Sequence, residues 1–376
     1  MTARIERYLA DERPPTPCLV MDLDVVRQNY EALAAALPAA RIFYAMKANP
    51  APEVMSLLAG MGSSFDTASI YEVREALAAG ARPAQVSFGN TIKKQSDIKA
   101  AYDLGVRLFA FDSEGELEKL AEAAPGAQVY CRLRFECSKT ADWPLGGKFG
   151  CSVEMAGDLL TRARNLGLDP YGVSFHVGSQ QRDTGEWDVA VGKAAMLFTD
   201  LRERGVNLRL LNVGGGFPAN YLSESASHQE HAAALTAALQ KHFGNRQPEV
   251  LIEPGRSLVA DAGLIRSEVV LVSRKAYDGP RWVYLDVGKF GGLIETMDEA
   301  IKYRIRTSRD GGEASRAIIA GPTCDEVDVL YEETPYELPD DLKPGDTVDF
   351  LSAGAYTATY CSVGFNGLPP LKTYCV

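Results

Sequence analysis

Apolar runs and amphipathic segments alternate along most of this chain. From residue 40 to residue 260 there are eight short runs dense in apolar residues: Ile42–Lys47, Ser64–Ala68, Val86–Gly89, Leu108–Asp112, Val129–Arg134, Gly172–Val177, Leu208–Val213 and Val250–Glu253. Between them apolar residues recur at helical spacing, over Pro52–Ala59, Tyr71–Ala79, Ser96–Leu104, Glu114–Ala123, Met155–Leu166, Val189–Arg204 and His231–His242. The runs predict strands and the amphipathic segments predict helices. Strand and helix alternating eight times is the signature of a parallel (β/α)8 barrel. An open doubly wound sheet is the competing α/β arrangement, but no Gly-x-Gly-x-x-Gly turn stands early in the chain.

After residue 262 the texture changes. Helical spacing persists only in Glu295–Ile301, and short runs such as 268–272, 282–285 and 317–320 are bounded by Gly, Pro and Asp. Lys343-Pro344-Gly345-Asp346 reads as a turn feeding a strand at 347–351. These features predict a second, all-β domain, and the early run Cys18–Asp22 can join its sheet. The expected organisation is residues 1–23 as a strand added to the β domain, 24–262 as the barrel, and 263–376 as the β domain.

Composition narrows the class. The 376 residues, 46% of them hydrophobic, are enough for one large core and a second smaller one. A net charge of −11 without a Lys/Arg block argues against nucleic acid or anionic membrane as partners, and suits a cationic substrate. No apolar stretch approaches membrane-spanning length and the N-terminus lacks the apolar centre of a secretion signal, so a cytoplasmic location is expected. Seven scattered cysteines, without metal-ligand spacing, predict reduced thiols and no metal site. Three of the four histidines, His228, His231 and His242, fall in a polar helical stretch and are expected to be exposed.

The candidate chemistry gathers at the strand ends. Lys47 closes the apolar run 42–46, where an unpaired ammonium would cost several kcal/mol. A lysine kept in such a place is best explained by use of its amine, most often as a Schiff-base nucleophile. In a barrel, polar groups at the C-terminal ends of strands face the active site. Lys47, Asp66, Asp112, Arg132, His176, Gly214–Gly216 and Glu253–Arg256 all fall there. Gly215 and Gly216 follow the seventh run, and Gly255 and Arg256 the eighth, where barrels commonly cradle phosphate. Ser179 can donate to the same anion. Glu253 can keep a pyridine nitrogen protonated, and His176 can stack on a ring. Asp66 and Arg132 read either as an ion pair inside the barrel or as supports of the site.

The set Tyr44-Ala45-Met46-Lys47-Ala48-Asn49, Phe65-Asp66-Thr67-Ala68-Ser69, His176-Val177-Gly178-Ser179, Asn212-Val213-Gly214-Gly215-Gly216-Phe217 and Glu253-Pro254-Gly255-Arg256 resembles the fold-type III pyridoxal phosphate decarboxylases over nearly the whole chain. Gly321-Pro322-Thr323-Cys324-Asp325-Glu326-Val327-Asp328, Gly354-Ala355-Tyr356-Thr357 and Phe365-Asn366-Gly367 narrow the resemblance to ornithine decarboxylase and its bacterial lysine/ornithine relatives. It implies an alanine-racemase-like fold: a TIM-like (β/α)8 barrel with a C-terminal β domain. It implies pyridoxal 5'-phosphate held by Lys47, with Glu253 on the pyridine nitrogen and His176 on the ring face. Ser179, Gly216, Gly255, Arg256 and Tyr356 would hold the phosphate. The resemblance also implies a head-to-tail homodimer in which Cys324 and Asp325 reach the neighbouring subunit's site, Cys324 to protonate Cα and Asp325 to bind the distal ammonium. Lys148 and Asp328 resemble a pair bridging that interface. The implied reaction takes ornithine to putrescine and lysine to cadaverine.

The segment 286–299 departs from the family's eukaryotic members where the distal-amine pocket is shaped. Glu295, Asp298 and Glu299 are all candidates for the distal acid, and ornithine and lysine are not separated, since one methylene is worth only about 1–3 kcal/mol of discrimination. The rivals are a diaminopimelate decarboxylase, though that enzyme typically carries Cys-Glu-Ser where this chain has Cys-Asp; a racemase, whose second base is usually a tyrosine; and a non-catalytic homologue, which should have lost the lysine, glutamate or cysteine that this chain keeps.

Overall fold

Eight parallel strands close into a barrel in the computed structural model, which describes residues 1–135, 140–143 and 145–376. The strands are Ala40–Ala45, Ser64–Thr67, Val86–Phe88, Leu108–Phe111, Gln128–Arg132, Asp169–Ser174, Leu210–Asn212 and Glu249–Ile252. Each lies in or across one of the eight expected runs. The seven expected helices form as well, within three residues of the expected ends.

Period-two alternation decides what faces inward. Phe43, Leu108, Ala110, Tyr130, Leu210 and Leu251 pack together as a small apolar cluster inside the barrel. Their sequence neighbours Tyr44, Phe109, Val129, Leu211 and Ile252 belong to the large outer core beneath the helices. The inward parity, carried two residues on, brings Arg132, Asn212 and Glu253 to the barrel mouth, and the same parity in the next strand brings Asp66. An apolar plug below a polar rim is therefore written into the strands as i, i+2 pairs.

Among the described residues, Ala141–Trp143 and Ser179–Gln181 pair separately as a two-stranded ribbon, and the other nine remaining strands form a mixed sheet. Its long strand Gly263–Arg274 pairs antiparallel with Cys18–Met21, Arg281–Leu285 and Thr347–Leu351. Cys18–Met21 also pairs in parallel with Lys372–Cys375, so the strand near the start of the chain joins the C-terminal sheet as expected. Two long helices near the start of the chain carried no expectation. Ala3–Asp11 is capped by the Thr2 hydroxyl and buries Ile5 and Leu9, and Leu23–Ala36 is capped by the Asp22 carboxylate.

Two expectations are corrected. Glu295–Ile301 is not a regular helix, because Met297 is extended and Asp298 and Glu299 adopt positive φ. The histidines of His228–Phe243 are not exposed: His228 and His242 are partly buried and His231 fully so. His231 Nδ1 accepts the indole N–H of Trp187 at 3.1 Å, and Phe217 packs on both rings. The helical repeat placed His231 on the face turned to the core, which composition alone concealed.

Burial, with His228 adding to it, pushes the His231 imidazole down to about 4. An unfolded histidine titrates near ~6.5, so between these values the unfolded chain binds the proton that the fold excludes. His231 thus contributes stability that is complete above the unfolded value and lost as pH falls toward the folded one, on the order of 2 kcal/mol by pH 5. In saturating cofactor, Tm should fall between pH 7.5 and pH 5, and His231→Gln, which keeps an acceptor for Trp187, should flatten that fall. An unchanged slope in the variant would remove His231 as its source.

Candidate active site

The turn carrying Lys47 is fixed from both domains. Strand Ala40–Ala45 runs into a single 3-10 turn, Met46–Ala48, whose outer residues are buried. Ala45 N–H donates to the Pro254 carbonyl at 3.0 Å, on the barrel side. From the β domain, Tyr356 N–H donates to the Ala48 carbonyl at 2.7 Å and the Thr359 hydroxyl to the Lys47 carbonyl at 2.8 Å. The Asn49 amide reaches back to the Gly354 carbonyl at 2.9 Å. With its neighbours so anchored, Lys47 opens half its side chain onto a cavity of about 640 Å³ at the barrel mouth.

Lys47 Nζ lies 3.9 Å from Asp66 Oδ2, so the ion-pair partner of Asp66 is Lys47 and not Arg132. Burial pulls the amine's pKa down, but Asp66, Tyr356 and Glu253 outweigh it and hold it above the ordinary lysine value. The Asp66 carboxyl is itself pushed well above the usual carboxylate range, by burial and then by Glu253. An amine must shed a proton before it attacks a carbonyl, and Asp66 is the adjacent group able to take it.

Glu253 accepts a short hydrogen bond from the Asn212 amide, whose Oδ1 in turn accepts Gly214 N–H at 2.9 Å. One asparagine thereby ties the carboxylate to the start of the glycine loop. His176 Nδ1 accepts Gly178 N–H at 3.0 Å, which puts its proton on Nε2. Burial, aided by Arg132 and Lys47, holds the imidazole well below its usual range, so it is neutral. Arg132 lines the same cavity with its guanidinium 5.3 Å from the Phe149 ring.

Beside this cavity, Ser179, Gly215, Gly216, Gly255, Arg256 and Tyr356 line a small recess that also touches Lys47, His176 and Glu253. Two glycines of the loop that supplies it are obligatory. Gly214 has φ +71° and a Cβ there would lie 2.3 Å from the Phe175 carbonyl; Gly216 has φ +110° and its Cβ would lie 2.7 Å from that of Gly178. Arg256 is buried, donating to Glu295 at 2.6 and 2.8 Å, to the Tyr221 hydroxyl at 2.8 Å and to Ser179 Oγ at 3.1 Å. Its Nε–H has no partner among the described residues.

The three candidates for the distal acid separate. Glu295 lines the Lys47 cavity but is the buried partner of Arg256. Glu299 accepts the backbone N–H groups of Glu332, Glu333 and Thr334, each at 2.7 Å, and lines a different cavity together with the exposed Asp298. Cys324 and Asp325 are exposed and lie outside the cavity's lining. Cys324 exchanges hydrogen bonds with Asn366, at 3.0 and 3.3 Å. Asp328 is buried and accepts Lys289 N–H at 2.7 Å and the Thr323 hydroxyl at 2.7 Å. Lys148, which the resemblance pairs with Asp328 across an interface, is exposed, with its ammonium over the Phe149 ring. Asp112 accepts Gly150 N–H at 2.7 Å, anchoring a loop at the cavity rim.

Several lining residues carried no expectation: Glu72, Asn90, Trp143, Thr359 and Tyr360. Only Glu72 had a local signal, the Ser69-x-x-Glu72 start of a helix. Its carboxylate accepts Ala68 N–H at 2.5 Å.

These groups fit pyridoxal phosphate. An amine, a carboxylate fixed by Asn212 and a neutral imidazole share one cavity, and backbone too crowded for a Cβ borders a recess holding Arg256 with its spare donor. Lys47 would carry the cofactor, Glu253 would face the ring nitrogen, and the recess would take the phosphate.

Comparison with known proteins agrees. The family described as pyridoxal-dependent decarboxylase, pyridoxal binding domain, matches residues 23–260. Lysine/ornithine decarboxylase of Selenomonas ruminantium is 37% identical over 358 residues, spanning 95% of this chain and 88% of the relative. The crystal structure of the lysine decarboxylase from that organism with pyridoxal phosphate and cadaverine has TM-score 0.89 at 35% identity, covering 100% of this chain and 94% of the other. Lysine/ornithine decarboxylase of Vibrio vulnificus complexed with cadaverine has TM-score 0.89 at 32% identity, covering 100% and 99%. The chain therefore belongs to the pyridoxal-dependent decarboxylases.

Proposed function

We propose that this enzyme decarboxylates ornithine and lysine to putrescine and cadaverine, in polyamine formation in the cytoplasm, as a homodimer whose sites are shared between subunits. One observation carries the reading. Each of the four carboxylates lining the Lys47 cavity, among the described residues, is already engaged within the chain: Asp66 by Lys47, Glu72 by Ala68 N–H, Glu253 by Asn212 and Glu295 by Arg256. A cationic substrate tail needs an acid from elsewhere. Asp325, exposed beside Cys324 on the β domain, is suited to supply it to a partner's cavity. The names of the relatives support the same substrates.

When bound, pyridoxal phosphate supplies the electron sink that stabilises the carbanion left at Cα as carbon dioxide departs. The chain's residues do the rest. Asp66 is placed to take a proton from the Lys47 amine, the group that would hold the cofactor. Glu253, held by Asn212, would keep the proton on the ring nitrogen. Neutral His176 would pack on the ring face. Arg132 bounds the same cavity. Asp325 of the partner subunit holds the distal ammonium, and Cys324 of the partner subunit delivers the proton to Cα.

A racemase would use a second base at Cα, and a diaminopimelate decarboxylase would need a cation to meet a distal carboxylate. Cys324-Asp325 offers neither a tyrosine nor a cation.

Purified enzyme given pyridoxal phosphate and an equimolar mixture of L-ornithine, L-lysine, L-arginine and meso-diaminopimelate should release putrescine, cadaverine or both. Lysine formed from diaminopimelate as the main product, or no product at all, would overturn the assignment. Lys47→Ala should abolish turnover, and full activity in that variant would end the proposal. Cys324→Ala should still take up the cofactor, seen in its visible absorbance, while losing about a hundredfold or more in turnover. Unchanged rate and product would remove Cys324 from the mechanism.

A further inference from the structure

Glu295 was a candidate for binding the substrate's distal ammonium, and its contacts point elsewhere. It lies on the irregular segment of the β domain, with 5% of its surface exposed, against Arg256 of the barrel at 3%. Its two oxygens take one N–H from each terminal nitrogen of Arg256, at 2.6 and 2.8 Å. This two-pronged contact sets both the plane and the rotation of the guanidinium. The second N–H on each nitrogen is thereby turned outward, one to the Tyr221 hydroxyl and one to Ser179 Oγ. The Tyr356 ring lies 4.9 Å from the guanidinium carbon. Burial opposes the charge on Arg256, and Glu295 is the chief group that restores it.

We infer that Glu295 is a positioning residue for the phosphate cradle: it acts on the cofactor's phosphate through Arg256 and does not bind substrate. The inference rests on the reading that Arg256 faces that phosphate. With Glu295 in place the guanidinium arrives already oriented, offering Nε–H and the N–H now on Ser179 to the anion. Without it, a buried arginine loses its partner and swings toward the open cavity, and the cradle must be ordered as the cofactor binds, which weakens binding. The segment's backbone serves the same end. Gly292, at φ +135°, lies where a Cβ would be 2.7 Å from the Thr357 carbonyl, and Glu295's own carbonyl accepts Ile301 N–H at 2.9 Å. The β domain thus touches the cofactor site twice, at the Lys47 turn and at Arg256.

The test is titration of apoenzyme with pyridoxal phosphate and, separately, with pyridoxal, which lacks the phosphate, followed by absorbance. It is run for wild type, Glu295→Gln, Glu295→Asp, Arg256→Ala and the Glu295→Gln/Arg256→Ala double variant, each checked for folding by circular dichroism. Glu295→Gln should weaken pyridoxal phosphate binding at least about tenfold, leave pyridoxal binding within about twofold, and add less than about twofold in the Arg256→Ala background. Glu295→Asp keeps the charge and should fall between wild type and Glu295→Gln. Affinity for pyridoxal phosphate that is unchanged or tighter in Glu295→Gln, or an effect that persists without Arg256, would overturn the inference. So would a rise in KM for the amino acid substrate larger than the loss of cofactor affinity. If Arg256→Ala itself leaves pyridoxal phosphate binding unchanged, it is the underlying assignment of the phosphate site that fails.

Discussion

Everything in the site depends on how the three-residue turn around Lys47 is held. A lysine side chain has four rotatable carbons and no fixed direction of its own, so it can be aimed only through its backbone. Here the aim is set by four hydrogen bonds, one from the barrel and three shared with the β domain, around a turn whose flanking side chains are buried. The direction of the Lys47 amine is consequently a feature of the seam between two domains: three of the four bonds cross it.

The rest of the site follows from strand parity and from charge pairing. Inward-facing positions are apolar low in the barrel and polar at its mouth, so the same strands that build the plug deliver Asp66, Arg132, Asn212 and Glu253 to one rim. Once there, the charged groups neutralise one another in specific pairs. Lys47 with Asp66 and Arg256 with Glu295 are each close enough to fix a geometry, and the neutral His176 adds no charge to the ring face. Among the described residues this arrangement offers no free acid to a diamine tail, and the proposal of a site shared between two subunits rests on that.

Much of this could be read from the chain. The barrel was legible because period-two and helical patterns repeat eight times, and Lys47, His176, Glu253 and the glycine loop because each stands at a strand end. The Arg256–Glu295 pair was not legible. It joins residues 39 apart across two domains, and the backbone between Glu295 and Glu299 breaks helical periodicity, so three nearby acids looked equivalent. Glu299 serves backbone amides of a loop more than thirty positions on, a role no local pattern encodes. His231 misled for the opposite reason: a polar residue in polar surroundings of sequence turned out to be buried by the three-dimensional packing.

The central claim is that one active site takes its amine from one protomer and its acid pair from the other. The direct measurement mixes two inactive variants, Lys47→Ala and Cys324→Ala, under conditions that exchange subunits. In a mixed dimer one site combines an intact Lys47 with an intact Cys324 of the partner subunit and the other site loses both. Random exchange of equal amounts should therefore restore about a quarter of wild-type activity. Activity that stays at the level of the separate variants, although exchange is demonstrated, would contradict the account and place Cys324 in the same protomer's site or outside the reaction.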